Sequence, residues 1–147
     1  MPKTIDPRMH SAEHILNQAM ERMFSCGRCF SAHIEKNKSK CDYGFKRELS
    51  ESEVAEIQAR VNDVIRQNIP VGEKLIARAE AEQHYKTDKL PADSGDRIRI
   101  IHIGDYDACP CIGPHVKSTR EIGTFRITTT SFEDGVLRIR YKLSPPK

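Results

Sequence analysis

Long apolar runs and phosphate-binding loops are both missing from this sequence. No stretch approaches the ~20 consecutive apolar residues that a membrane-spanning helix needs. The opening residues, Met-Pro-Lys-Thr-Ile-Asp-Pro-Arg, lack the apolar centre of a signal peptide. No Gly-rich loop or P-loop is present, which argues against a nucleotide cofactor and a nucleotide-driven enzyme. We therefore expect a cytoplasmic protein with no membrane partner.

Internal repeats and low-complexity segments are also absent, so the chain is not an array of small units. Its 147 residues are enough for a single domain with a genuine core, and we expect one domain over residues 1–147. Charged residues make up 31% of the chain and apolar residues 37%, which indicates a well-solvated surface. No pattern in the sequence indicates an oligomeric state.

The net charge of +3 is unevenly distributed along the chain. Residues 1–50 hold nine Lys/Arg and six Asp/Glu, residues 51–95 hold six and nine, and residues 96–147 again hold nine and six. The two basic segments are consistent with a polyanion such as an RNA end, although imbalances of this size are common in proteins that bind no nucleic acid.

Five cysteines form an odd set, which favours thiols and metal ligands over a disulfide framework. Cys26 and Cys29 are spaced as Cys-x2-Cys, but they follow a predicted helix C-terminus, where the helix dipole does not lower a thiol pKa. A metal site there would need two more ligands, and only His33 and Cys41 are near in sequence. We interpret these cysteines as structural.

The segment from Asp107 to Gly123 holds the densest set of candidate functional residues. Cys111 and His115 are four positions apart, and both are good ligands for zinc. Gly113 and the proline beside it cannot continue a helix, so we expect a tight loop that turns both side chains towards one point. This pair supplies two metal ligands.

Two further candidate ligands lie near the other end of the chain. His10 and His14 begin an amphipathic helical pattern, and residues four apart share one face of a helix. Together with Cys111 and His115 they form a set of one Cys and three His, which suits tetrahedral zinc. A zincin protease is improbable, because Ser11 stands where that motif needs its catalytic Glu.

The same motifs resemble a known family. His-x3-His near the start, then Cys-x-Gly-x-His-Val and Thr-x-Glu-Ile-Gly about a hundred residues later, is similar to the editing domain of alanyl- and threonyl-tRNA synthetases. The resemblance covers nearly the whole chain and leaves no room for a synthetase domain. It therefore indicates the freestanding short form, the AlaX-type trans-editing proteins.

This resemblance implies a zinc-dependent hydrolase that deacylates mischarged tRNA, with Ser-tRNA(Ala) and Gly-tRNA(Ala) as expected substrates. The implied zinc-binding and catalytic residues are His10, His14, Cys111 and His115; the sequence leaves open whether zinc keeps a free coordination position. Implied substrate-binding residues are Ser31 and His33 on a hairpin at the amino-acid pocket, Cys109, and Gly113, whose backbone N–H is a candidate oxyanion donor.

Two departures from the family pattern keep alternatives open. The loop reads Cys-Ile-Gly-Pro-His, closer to the threonyl type's Cys-Arg-Gly-Pro-His than to the alanyl type's Cys-Gly-Gly-Thr-His, so Ser-tRNA(Thr) is an alternative substrate. Cys109 replaces the usual Asp, Glu or Gln, which removes a possible carboxylate or offers a fifth ligand. A zinc-stabilised RNA-binding module without hydrolytic activity, and a zinc hydrolase of an unrelated small ester or amide, are the other hypotheses.

Periodicity and turn signals predict an α+β, two-layer domain, with four or five antiparallel strands packed by two long helices and a short one. Asp6 is predicted to cap the first helix, which Gly27 ends, and Ser50 with Glu53 forms a capping box for the second. The predicted strands cover residues 29–35, 40–45, 71–81, 97–103, 124–132 and 136–143. A short helical turn is predicted over residues 80–85.

The remaining basic and histidine side chains do not indicate a particular function. His102 is predicted to be structural. Lys86 and Lys89 lie in a predicted loop and could approach a phosphate, although solvated charge is the better explanation. A basic stripe on the last strand is either a surface for a nucleic-acid backbone or the solvated side of the sheet; it comprises Arg138, Arg140 and Lys142.

Overall fold

The computed structural model describes residues 6–85 and 96–145. Within these ranges it contains three α-helices and seven strands. None of these helices combines the length and the apolar character that crossing a bilayer demands. The elements are α1 (Pro7–Phe24), β1 (Ser31–Ile34), β2 (Ser39–Gly44), α2 (Glu51–Arg66), β3 (Val71–Ala77), α3 (Arg78–His84), β4 (Arg97–Ile103), β5 (Asp107–Pro110), β6 (Thr124–Glu133) and β7 (Val136–Ser144).

Helix α1 begins where the sequence predicts. The Asp6 carboxylate accepts hydrogen bonds from the backbone N–H groups of Arg8 (3.0 Å) and Met9 (3.1 Å), which otherwise lack partners within the helix. The helix ends at Phe24, and its cap is Ser25, which adopts the left-handed conformation at φ 52°, rather than Gly27, the stop signal predicted just past the end. The Ser25 N–H bonds to the carbonyl of Glu21 and so closes the last turn two residues earlier.

Helix α2 confirms the predicted capping box. The Ser50 hydroxyl accepts from the backbone N–H of Glu53, and the Glu53 carboxylate accepts from the backbone N–H of Ser50. The face that α2 buries has the expected helical spacing and consists of Ile57, Val61, Val64 and Ile65. Val54, predicted to be buried, is half-exposed at the first turn.

The α+β prediction is confirmed, but the described residues form seven strands rather than the predicted four or five, and these divide between two antiparallel sheets. One sheet has the order β1-β2-β7-β6 and the other has the order β3-β4-β5. Strand β3 ends at Ala77, four residues before its predicted end, because α3 starts there and takes over the chain. The segment from Asp107 to Pro110, predicted as loop, forms the extra strand β5 beside β4.

The main core lies between the two long helices and the inner face of the four-stranded sheet. It includes Leu16 and Met20 of α1, the buried face of α2, and Tyr43 and Tyr141 of the sheet. Burial of these large side chains supplies most of the folding free energy, at roughly 25 cal/mol per Å² of apolar surface. A second, smaller core under α3 consists of Ile76, Ala81, Ile98 and Ile100.

The start of α1 is anchored to late parts of the chain. The Arg8 guanidinium donates to the carbonyls of Ile122 (2.8 Å from Nη2) and Ser144 (2.8 Å). The Tyr141 hydroxyl donates to the carbonyl of Met9 at 3.0 Å. These contacts hold the first turn of α1 against the C-terminal half, so residues separated by about a hundred positions meet there.

Candidate metal centre

Four donor atoms of the predicted ligand set meet at the start of α1. They belong to His10, His14, Cys111 and His115, and all lie within 4.8 Å of one another. The Cys111 sulfur and Nε2 of His10 lie 3.1 Å apart. Donors around a tetrahedral zinc stand roughly 3.3–3.8 Å apart, given metal–ligand bonds of about 2.0–2.3 Å. The four side chains are therefore arranged as a site that could hold a metal ion.

Two of the imidazoles have their second nitrogen fixed by a neighbour. Nδ1 of His10 lies 3.0 Å from the carbonyl oxygen of Pro114, and Nδ1 of His115 lies 2.9 Å from the hydroxyl of Ser11. Such contacts orient the ring and leave Nε2 for a metal. Nε2 of His115 is buried without a hydrogen-bond partner, a costly state for a polar atom that coordination would relieve.

Behind His14 stands a carboxylate that the sequence alone did not single out. Oδ2 of Asp107, at the start of β5, lies 3.7 Å from Nδ1 of His14. Arg28 donates two hydrogen bonds to the same carboxylate (2.8 and 3.3 Å), and Gln18 donates a third (3.0 Å). Burial opposes ionisation of Asp107, but the neighbouring His14 and Arg28 outweigh it and lower its pKa to about 2. Asp107 is thus a fixed anion that faces Nδ1 of His14, a buried nitrogen with no hydrogen-bond partner at this distance.

Crowding and burial determine the protonation of the cluster. The rings of His10 and His115 stack at 4.1 Å between centroids, and His14 meets His115 edge-on at 4.5 Å. Burial, with the neighbouring His14, lowers the pKa of His115 to about 2, so the ring is neutral and able to coordinate. Burial, followed by the nearby Cys109, raises the pKa of Cys111 to about 12, and a bound cation would have to displace its proton.

The loop between Cys111 and His115 is held by Arg99 of β4. Nη1 of Arg99 donates to the carbonyl of Gly113 at 2.7 Å, and the Arg99 carbonyl accepts from the backbone N–H of Cys111 at 3.1 Å. Glu73 of β3 pairs with the same guanidinium. Gly113 itself packs against the ring of His10. Sequence reasoning missed Arg99 because it reads as an exposed residue of an alternating strand.

Ser31 and His33, the predicted pocket residues, lie in β1. They pair with Asp42 and Lys40 of β2, which in turn pair with Arg138 and Arg140 of β7. Paired residues share a face of an antiparallel sheet, so this set lies on the face opposite Cys41, which points into the core. The predicted basic stripe occupies the same outer face. A substrate-binding role for Ser31 and His33 stays a prediction.

Cys109 lies in β5, where it pairs with Ile101 of β4. Its sulfur is 3.4 Å from the carbonyl oxygen of Pro110, and it is not a member of the four-donor group of the described residues. Its predicted contact with substrate stays a prediction, as does the role of the Gly113 N–H. Lys86 and Lys89 lie outside the described residues. His102 is half-buried in β4 opposite Gly72, as expected for a structural residue.

Residues 98–140, which include Cys111 and His115, match the family model of the threonyl and alanyl tRNA synthetase second additional domain. The chain is 33% identical over 142 residues to the alanine–tRNA ligase of Aeropyrum pernix, and 30% identical over 142 residues to that of Methanopyrus kandleri. Each alignment covers 91% of this chain and 15% of the ligase. The alanine–tRNA ligase of Fervidobacterium nodosum is 32% identical over 134 residues, covering 90% of this chain and 16% of the ligase. The chain thus spans about a sixth of the length of these relatives.

Proposed function

Because this chain belongs to the family of the threonyl and alanyl tRNA synthetase second additional domain, we propose that it hydrolyses mischarged aminoacyl-tRNA in trans, in the cytoplasm. The observation that carries this proposal is the meeting of His10, His14, Cys111 and His115 at one point. Ser-tRNA(Ala) and Gly-tRNA(Ala) are the proposed substrates, because the relatives named above are alanine–tRNA ligases.

The donor set indicates zinc as the metal. One thiolate and three neutral imidazoles suit this borderline-soft ion, and the oriented Nδ1 atoms of His10 and His115 leave the Nε2 atoms for it. When bound, zinc supplies a Lewis acid that can polarise a carbonyl oxygen, lower the pKa of a water or hold the substrate amine. The residues described above fit such an ion in number, type and spacing.

An aminoacyl ester is already activated, so the site needs positioning more than a strong nucleophile. We propose that a pocket water attacks the ester carbonyl, its proton passes to solvent, and the bond to the ribose oxygen breaks. The products are a free amino acid and a tRNA with its terminal hydroxyl restored. Arg99 holds the loop by the Gly113 carbonyl. The backbone N–H of Gly113 is the proposed donor to the oxyanion.

Selectivity follows from the size of the amino acids concerned. An aminoacylation site that accepts alanine cannot exclude the smaller glycine and discriminates weakly against serine. A second, hydrolytic site is therefore needed. A site that hydrogen-bonds the serine hydroxyl leaves polar groups unpaired when alanine enters, and it therefore spares the correct ester. Pro114 in the ligand loop favours the threonyl system instead, so Ser-tRNA(Thr) is the second candidate substrate.

A panel of labelled Ser-, Gly-, Ala- and Thr-tRNAs tests the proposal. We expect fast release of serine and glycine from tRNA(Ala), with alanine largely retained, and loss of this release in His10→Ala. Hydrolysis of Ser-tRNA(Thr) in preference to Ser-tRNA(Ala) would move the proposal to the threonyl system. Tight tRNA binding without acceleration of any ester, in protein that contains zinc, would reject the hydrolase and leave an RNA-binding module.

A further inference from the structure

A second group of metal-ligand side chains lies directly behind the metal centre. It consists of Glu13 of α1, Cys29 just before β1, and Cys41 of β2, whose donor atoms all lie within 4.8 Å of one another. Cys29 is 2% exposed and Cys41 is fully buried. The sequence indicates Cys29 only as part of a Cys-x2-Cys pair and Cys41 only as a neighbour of that pair, and it does not indicate Glu13, because the group joins three separate elements.

The fold holds these three residues together by polar contacts beside them. Asn17 lies one turn after Glu13 on α1, and its side-chain oxygen accepts from the backbone N–H of Cys29 (3.2 Å) and the hydroxyl of Tyr43 (2.7 Å). Cys41 and Tyr43 are two apart in β2 and face the same side. The hairpin is thus fixed against α1 at the point where the three donor atoms meet.

Glu13 lies between the two groups of ligands. Its Oε1 is 3.9 Å from Nε2 of His10 and 3.8 Å from Nε2 of His14, the nitrogens assigned to the first metal. Its Oε2 is 3.4 Å from the sulfur of Cys29. The Glu13 side chain is 15% exposed, and a carboxylate removed from water needs strong compensation. A thiol is a weak hydrogen-bond donor, so Cys29 as a thiol compensates little of this cost.

We propose that Glu13, Cys29 and Cys41 form a second zinc site, and that Glu13 is shared between the two sites through its two oxygens. Two thiolates and a carboxylate are zinc ligands, and 3.4 Å from sulfur to oxygen fits the roughly 3.3–3.8 Å expected between donors of a tetrahedral ion. Binding forms two zinc–sulfur bonds and releases the two thiol protons to solvent. The cation then balances the negative charge of the Glu13 carboxylate on the side that faces Cys29.

Burial determines how this ion enters. Because Cys41 is fully buried and Cys29 nearly so, the ion is taken up before the hairpin closes on α1, during folding. Uptake of the second zinc is therefore coupled to folding, and adding metal to folded apo-protein is a poor test. The proposal does not depend on the proposed hydrolase, because it concerns metal content and spectra rather than turnover.

The test is metal stoichiometry after refolding the full chain from denaturant and chelator into Co²⁺. We expect two equivalents per chain, and a sulfur-to-cobalt charge-transfer band about three times that of a single-site protein, since three thiolates bind instead of one. Cys29→Ser should bind one equivalent and keep only the band from Cys111. Cys26→Ser is the matched control and should keep two equivalents, because Cys26 bonds to backbone carbonyls outside the group.

Glu13→Gln provides a second variant of nearly unchanged shape, in case Cys29→Ser folds poorly. We expect this variant to melt cooperatively and to retain cobalt in the second site at least tenfold more weakly than in the wild type. One equivalent in the wild type, unchanged in Cys29→Ser, would overturn the proposal and make the two cysteines ordinary core thiols. Recovery of Cys29 and Cys41 as a disulfide from protein kept under reducing conditions would overturn it equally.

Discussion

The imidazole of His10 lies so close to Gly113 that a methyl group on Gly113 would stand 2.4 Å from its Cε1 atom. Side-chain carbons do not approach each other to this distance, so an alanine here forces the ring or the loop to move. His10 is also fixed by the carbonyl of Pro114, the next residue of the same loop. Gly113 therefore allows the loop between Cys111 and His115 to pack closely against the ring of His10.

Gly113→Ala should displace His10 and weaken zinc binding by about tenfold or more, with a parallel loss of deacylation. Zinc affinity measured by competition with a chromophoric chelator checks this expectation. The matched control is Gly72→Ala, because a methyl group on Gly72 meets nothing within 4 Å. Equal zinc affinities for the two variants would contradict the packing role of Gly113.

Asp107→Asn should weaken zinc binding by about 10- to 100-fold, the usual effect of removing the group that orients a ligand histidine. The amide keeps the shape of the side chain but removes the charge that faces His14 and leaves Arg28 without its ion pair. The same competition assay measures the effect. Asp105→Asn, on the exposed turn before β5, should retain wild-type affinity. Wild-type affinity in Asp107→Asn would show that Asp107 is not part of the site.

Asp42 and Arg138 give a pH-dependent contribution to stability on the outer face of the sheet. Arg138 donates two hydrogen bonds to Asp42 (2.8 and 3.0 Å), and these hold the Asp42 pKa below its ordinary value. The stabilisation of the folded state by this ion pair is therefore complete above a pH of about 3.9, the pKa of Asp42 in the unfolded chain. It is lost as the pH falls through the lower pKa that Asp42 has in the folded state. Asp42→Asn should lower the free energy of unfolding at neutral pH, and lower it less in acid.

Denaturant unfolding of wild type and Asp42→Asn at matched pH values measures this contribution. The difference between the two proteins is the relevant quantity, because any effect of acid elsewhere in the chain is common to both. Asp134→Asn, at the exposed turn between β6 and β7, serves as the control and should track the wild type throughout. A difference that stays constant down to pH 2 would contradict the assigned cause.

Local signals in the sequence predicted the helices and the four side chains that meet at the candidate metal centre. Asp6 and Ser50 act through contacts two or three residues away, so their caps can be recognised from the sequence. His10 and His14 share a face because of helical geometry alone. We could predict that they meet Cys111 and His115 because all four residues are good ligands of one ion and lie in one domain.

The parts that could not be predicted depend on tertiary neighbours. Strand β5 is four residues long and has no alternation of apolar and polar side chains, so only its pairing with β4 defines it. Asp107 gains its role from Arg28, which lies 79 residues away in sequence. Glu13 has no local signal of a metal-binding role, because Cys29 and Cys41 reach it only through the hairpin.

Hydrolysis of Ser-tRNA(Ala) under single-turnover conditions tests the central claim most directly. The wild type should accelerate serine release over buffer, and metal-depleted protein or His115→Ala should lose on the order of 100-fold of that rate. Refolding the depleted wild type with zinc should restore it, and His84→Ala, an exposed histidine of α3, should retain it. Equal rates for wild type and His115→Ala, each with its zinc content measured, would contradict the account.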